Sequence, residues 1–114
     1  MERDEKCIFC KIIDRKIPST VVAEEEDSIA IKDVSPQAPT HILLIPKRHI
    51  RNITELSDKQ ALGSLFSKVA EIAKQEKLDR GFRTVVNTGD DGGQTVDHLH
   101  IHIIGGRQMQ WPPG

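Results

Sequence analysis

Residues 98–104 read His-Leu-His-Ile-His-Ile-Ile. Histidine alternates with apolar residues at a period of two, the period of a β-strand whose successive side chains point to opposite faces. The spacing predicts a strand over 96–104. Its histidines, His98, His100 and His102, share one face about 6.6–6.8 Å apart along the chain. Leu99, Ile101 and Ile103 share the other and can pack beneath a helix. Three imidazoles in a row do not build a core, because Leu or Val pack better and bring no ring nitrogens to satisfy. A solvated sheet face is served as well by Thr, Lys or Glu. The row therefore points to chemistry. One reading makes the three histidines ligands of a single catalytic metal, although alternate residues of one strand converge awkwardly on one ion. The other uses one neutral imidazole as nucleophile, its second nitrogen held by a fixed acceptor while its neighbours tune pKa and move protons.

The segment before the histidines favours the second reading. Residues 89–95, Gly-Asp-Asp-Gly-Gly-Gln-Thr, form a glycine-rich turn. Gly92 and Gly93 permit positive φ and close backbone approach, so their N–H groups can face an anion. Gln94 and Thr95 add side-chain hydrogen bonds. A histidine nucleophile beside an anion cradle suggests attack on phosphorus.

Outward from this centre, Phe82–Thr88 reads as a strand, and Asp58–Lys77 as the one long helix. Ser57 is the expected N-cap, with Gln60 completing a capping box. Leu62, Leu65, Phe66, Val69, Ile72 and Ala73 recur at helical spacing as one apolar stripe. His41–Pro46 (HILLIP) is a buried strand ended by proline. Residues 35–40 (SPQAPT) are a loop. Thr20–Glu25 and Ser28–Val34 form a hairpin, and residues 7–15 a short helix that stops before Pro18. This order predicts an α+β domain: a mainly antiparallel sheet of about five strands, one long helix over one face and a short N-terminal helix.

A chain of 114 residues is one domain's worth. The formal net charge of −1 gives no global field for gripping a nucleic-acid backbone, which disfavours duplex binding. The longest apolar runs, such as Ile42–Ile45, fall far short of the ~20 residues of a membrane span. The opening MERDEKC lacks the apolar core of a signal peptide. A cytoplasmic protein without membrane or nucleic-acid partners is expected. The only cysteines, Cys7 and Cys10, are too few for a disulfide framework. Their C-x-x-C spacing leaves free thiols, a redox pair or half of a metal site, and the redox case lacks the βαβ setting expected around such a motif.

The histidine stretch resembles the signature of the histidine-triad (HIT) superfamily. The resemblance runs over nearly the whole chain, through CIFCKII (7–13), DVSPQAPTH (33–41), IPKRHI (45–50), VVNTG (85–89), GGQT (92–95) and GGRQMQWPPG (105–114). These segments are similar to the Hint branch, the histidine-triad nucleotide-binding proteins. The resemblance implies a single HIT domain over 1–114, with residues 105–114 as a tail packing near the active site. It implies a homodimeric purine nucleoside phosphoramidase that cleaves the P–N bond of adenosine or guanosine 5′-phosphoramidates through a nucleotidyl-histidine. His100 matches the nucleophile, and His102 and His41 the supporting histidines. Asn87, Gln94 and Thr95 match contacts to the α-phosphate and leaving group, joined by backbone N–H groups near Gly93 and Thr95. Asp33 matches the ribose ligand. Phe9, Ile31 and Val34 would wall the base slot, and Trp111 would reach toward the partner's active site. Thr95 departs from the serine more usual in the branch, which keeps a hydroxyl but bears on leaving-group preference. The cysteine pair also departs from the metal-free Hint proteins. It resembles superfamily members in which C-x-x-C joins two histidines, here His49 and His98, around a structural zinc. Dinucleoside polyphosphate hydrolysis, nucleotidyl transfer and a non-catalytic nucleotide-binding scaffold are the competing functions.

Overall fold

The computed structural model describes residues 3–114. Five strands form one antiparallel sheet in the order β1-β2-β3-β5-β4. They are β1 (Val21–Glu24), β2 (Ser28–Lys32), β3 (Thr40–Pro46), β4 (Phe82–Val85) and β5 (Ile101–Gly105). A short helix, α1 (Ile8–Ile13), precedes them, and the long helix α2 (Lys59–Gln75) joins β3 to β4 by way of a 3-10 turn at Ile53–Glu55. The fold class expected from the sequence is the one observed.

Alternation along the strands divides the interior into two apolar layers. Ala30, Ile42, Leu44, Leu99, Ile101 and Ile103 pack with Leu65, Val69 and Ile72 of α2. Ile29, Ile31, Leu43 and Ile45 face the opposite way, onto Phe9, Cys10, Ile12 and Ile13 of α1. α2 therefore covers the first layer and α1 the second. The buried arc of α2 is narrower than the apolar stripe suggested. Phe66, about 100° round the helix from Leu65, stands at the rim and is exposed.

Several boundaries differ from expectation for identifiable reasons. α2 is capped by Asp58 rather than Ser57, because the Asp58 carboxylate accepts from the N–H groups of Gln60 (2.9 Å) and Ala61 (3.2 Å). α1 spans only Ile8–Ile13. Arg15 at positive φ turns the chain, while the Lys16 N–H reaches back to the Lys11 carbonyl at 2.8 Å. The last strand begins at Ile101, not at residue 96. Its pairing with β3 runs from Thr40↔Gly105 to Leu44↔Ile101. Two residues further the same register would set Leu99 opposite Pro46, which has no N–H to give. Leu99 instead donates to the Ile50 carbonyl at 2.7 Å. His98 and His100 thus precede the regular strand, yet the alternation persists: Leu99 joins the α2 layer while His98 and His100 meet Phe9 of α1.

Candidate functional site

The five histidines gather on the α1 side of the sheet in two groups separated by His100. His98 is fully buried. Its Nε2 lies 2.8 Å from the Pro46 carbonyl, which can only accept, so the proton sits on Nε2 and Nδ1 carries a lone pair. That lone pair faces Cys7 Sγ at 3.3 Å, Cys10 Sγ at 3.6 Å and His49 Nδ1 at 3.1 Å, and His49 Nδ1 is 3.3 Å from Cys10 Sγ. The other His49 nitrogen points toward the Asp4 carboxylate, 4.0 Å away. Four donor atoms therefore converge with their lone pairs inward. Both sulfurs also accept backbone N–H groups, Cys7 from Cys10 and Cys10 from Asp4, as thiolates do. Left without a cation, burial pushes the Cys10 thiol up and His98 down to about 4. Two cysteines and two histidines at these separations suit tetrahedral zinc, whose ligand–ligand edges come to about 3.3–3.8 Å.

His100 is 6% exposed and is buried more deeply than an outward-aimed ring would be. Its Nδ1 donates to the His98 carbonyl at 2.7 Å, which fixes the proton on Nδ1 and leaves the lone pair on Nε2. Phe9 stands edge-on to the ring, with centroids 5.0 Å apart. No described residue hydrogen-bonds to Nε2. No buried side-chain nitrogen or oxygen among the described residues lacks a partner, so Nε2 is the edge of the ring that opens to solvent. Desolvation lowers the pKa of His100, partly offset by the His98 carbonyl and the Asp33 charge. The imidazole is neutral at pH 7.

His102 and His41 form the second group. Gln37 donates its backbone N–H to His41 Nδ1 at 3.0 Å, so His41 carries its proton on Nε2. That N–H points to His102 Nδ1 at 2.9 Å, with an Asp33 carboxylate oxygen 3.4 Å away. His102 is left with its proton on Nε2. Desolvation and the neighbouring His100 and His41 push its pKa down to about 4. Although Asp33, His41 and His102 lie close enough to ligate an ion, the proton on His41 Nε2 occupies their meeting point. The reading of the three strand histidines as ligands of one catalytic metal is overturned: they face a cysteine cluster, a backbone carbonyl and a second imidazole respectively.

The remaining expected site residues are distributed unevenly. Asp33 is half-buried at the end of β2; one carboxylate oxygen accepts from the Ser35 N–H at 2.8 Å. Asn87 is half-buried and makes no side-chain hydrogen bond to any described residue. Phe9 and Ile31 belong to the α1 layer and lie beneath the histidines, whereas Val34 is 97% exposed in the single chain. In the glycine turn, the Gly93 N–H donates to Asp90 and the Gln94 N–H to Gly89. The Gln94 carboxamide is likewise committed, donating to the Arg51 (2.7 Å) and Val96 (3.0 Å) carbonyls and accepting from Gly89. Gly93 and Gln94 therefore shape the loop, and the Thr95 N–H is the amide left open beside it. Trp111 is 82% exposed at the end of the tail. Gln37, Pro46 and Arg107 are part of the site without having been expected there. Gln37 and Pro46 act through backbone atoms, for which no side-chain pattern exists.

The HIT domain family matches residues 14–109. A 14 kDa zinc-binding protein of Zea mays is 48% identical over 115 residues, covering 97% of this chain and 90% of the relative. Among solved structures, a HIT family hydrolase from Legionella pneumophila superposes with a TM-score of 0.92 at 46% identity, covering 96% of this chain and all of that one. A histidine triad nucleotide-binding protein from Candida albicans superposes at 0.82 with 32% identity, over 94% of this chain and 83% of that one.

Proposed function

The chain belongs to the HIT domain family, and from that premise we propose that it is a Hint-type hydrolase cleaving the P–N bond of purine nucleoside 5′-phosphoramidates. The observation that carries the reading is the His100 ring: neutral, tautomer fixed by the 2.7 Å bond to the His98 carbonyl, and unpartnered at Nε2. Nε2 attacks the α-phosphorus as the P–N bond breaks in line. The electron pair of that bond leaves on the amine nitrogen, which takes a proton across His102 Nε2 as His102 receives one from solvent, so that the imidazole stays neutral. The ring now carries nucleotide on Nε2 and a proton on Nδ1, and its positive charge rests against the His98 carbonyl. Water then attacks phosphorus and releases its proton to solvent, and the electron pair of the P–N bond returns to His100. The open Thr95 amide donates to the phosphoryl oxygens. Asp33 accepts from the ribose hydroxyls and Asn87 binds the phosphate. Phe9 and Ile31 support the base slot from below.

The active unit in this proposal is one HIT domain spanning the chain, paired as a homodimer in which the tail over 105–114 and Trp111 lie near the partner's active site. The name of the maize relative and the inward lone pairs of Cys7, Cys10, His49 and His98 support a structural zinc. When bound, that ion holds α1 against the segment leading into β5. No helix among the described residues is long and apolar enough to cross a membrane, and a cytoplasmic location accords with the proposal. The decisive assay compares an adenosine 5′-phosphoramidate with a diadenosine polyphosphate on wild type and His100→Asn. Turnover of the phosphoramidate by wild type and its loss in the variant, with AMP binding kept, supports the reading. Faster polyphosphate cleavage, or more than a few per cent of wild-type kcat in the variant, rejects it.

A further inference from the structure

Arg107, an exposed residue of the tail, closes a chain of hydrogen bonds that ends at His102. Its Nε–H donates to the Gln37 carbonyl at 2.9 Å. The backbone N–H of the same residue donates to His41 Nδ1 at 3.0 Å, and His41 Nε2 meets His102 Nδ1 at 2.9 Å. Gln37 sits in the proline-flanked loop 35–40, and the rest of that loop is built to hold its shape. The Gln37 carboxamide donates to the Ser35 carbonyl at 2.9 Å, the Ser35 N–H to Asp33, and the Asp33 N–H to the His41 carbonyl at 2.9 Å. From outside, Gly106 presses on Pro39 so closely that an added Cβ would lie 3.0 Å from the proline ring. The tail that bears Arg107 is fastened in turn by Arg83, whose guanidinium donates to the Gln110 carbonyl at 2.8 Å.

The direction of each bond matters. An arginine N–H can only donate and a peptide carbonyl can only accept, so Arg107 fixes the orientation of Gln37 on its carbonyl side. His41 has two tautomers of similar intrinsic energy, and the one present is set by the partner of Nδ1. An N–H there selects the tautomer protonated on Nε2. That proton in turn occupies His102 Nδ1 and leaves the His102 proton on Nε2, the edge away from His41.

We propose that Arg107 is a positioning residue that, by holding the backbone on both sides of the Gln37 Cα in place, fixes the tautomers of His41 and His102 and so keeps the His102 proton on the nitrogen that faces the leaving group. The catalytic half of this statement rests on the hydrolase reading above; the tautomer half does not. The geometry makes the tail a participant in the site of its own protomer, a role distinct from any reach of Trp111 toward a partner.

The test uses the full-length zinc-loaded protein labelled with 15N at histidine. Long-range proton–nitrogen spectra distinguish Nδ1–H from Nε2–H rings. Wild type should show His41 and His102 both protonated on Nε2. Arg107→Ala, a surface change, should move His41 and His102 toward a tautomer mixture and lower kcat about tenfold with KM changed less than twofold. Gln37→Pro removes the peptide donor outright and should give the same spectral change. Unchanged tautomers in Arg107→Ala overturn the proposal whether or not kcat falls, and so does a tautomer change that leaves kcat intact. A tautomer change in a protein whose wild type cleaves no phosphoramidate upholds the positioning role and rejects the hydrolase reading instead.

Discussion

His102 is the residue whose protonation most directly links chemistry to folding. It is neutral in the folded protein because desolvation and two neighbouring imidazoles depress its pKa from 6.5 to about 4. Between those values the unfolded chain binds the proton more readily than the folded one, so stability rises with pH across that window. The contribution is fully present above pH 6.5 and is lost as the pH falls toward 4. In His102→Gln the denaturation midpoint should fall less between pH 6.5 and 4 than in wild type; identical slopes from urea melts would contradict the assignment. At this scale the sequence was most legible where function lies in side-chain donors. Cys7, Cys10, His49 and His98 converge as the resemblance implied, and His100 and the His41–His102 pair are held by different partners. The backbone partners of the Gln94 carboxamide were less legible, because its residue type does not say which peptide groups will hold it. Val34, beside Asp33, is an apolar residue left exposed in the single chain.

Among elements, the glycine turn before β5 shows why two adjacent glycines are needed for different reasons. Gly93 adopts φ of +79°. Gly92 has no such requirement, but a Cβ there would lie 2.3 Å from the Thr88 carbonyl oxygen. A backbone atom cannot swing aside as a side chain would, so the whole turn must shift. Gly92→Ala should cost about 1–3 kcal/mol of stability and also raise KM, because the turn carries Thr95. Melts and steady-state kinetics on the purified variant would show an unchanged protein if the turn were loose. Asp58 offers a simpler case: removing its carboxylate in Asp58→Ala should cost about 1 kcal/mol and leave kcat and KM unaltered. Periodicity located α2 and every strand, since those patterns follow from which faces are buried. The ends were less legible. Asp58 displaced Ser57 as cap because an adjacent carboxylate reached the same N–H groups, and β5 started late because Pro46 on the neighbouring strand offers no N–H.

For the molecule as a whole, the α1 segment has no regular strand pairing to the sheet. It is tied by apolar burial, by an Arg3 guanidinium bond to the Lys47 carbonyl and by the cysteine–histidine cluster. Zinc at that cluster would link residues more than ninety positions apart, Cys7 and His98. Stripping the metal with a chelator at neutral pH should lower the melting temperature and speed proteolysis before β1, and Cys7→Ser with Cys10→Ser should mimic it. Metal analysis of protein prepared without chelator or metal resin should find about one zinc per chain; less than about 0.3, or no change in the double variant, would exclude the structural role.

The sheet stands between the two apolar layers as a partition. Every imidazole works on the α1 side, while α2 buries its stripe against the other and sends no side chain across. Protein engineering can exploit that insulation: the helical half is a region in which packing can be rewritten for heat tolerance while the half that carries the histidines keeps its architecture.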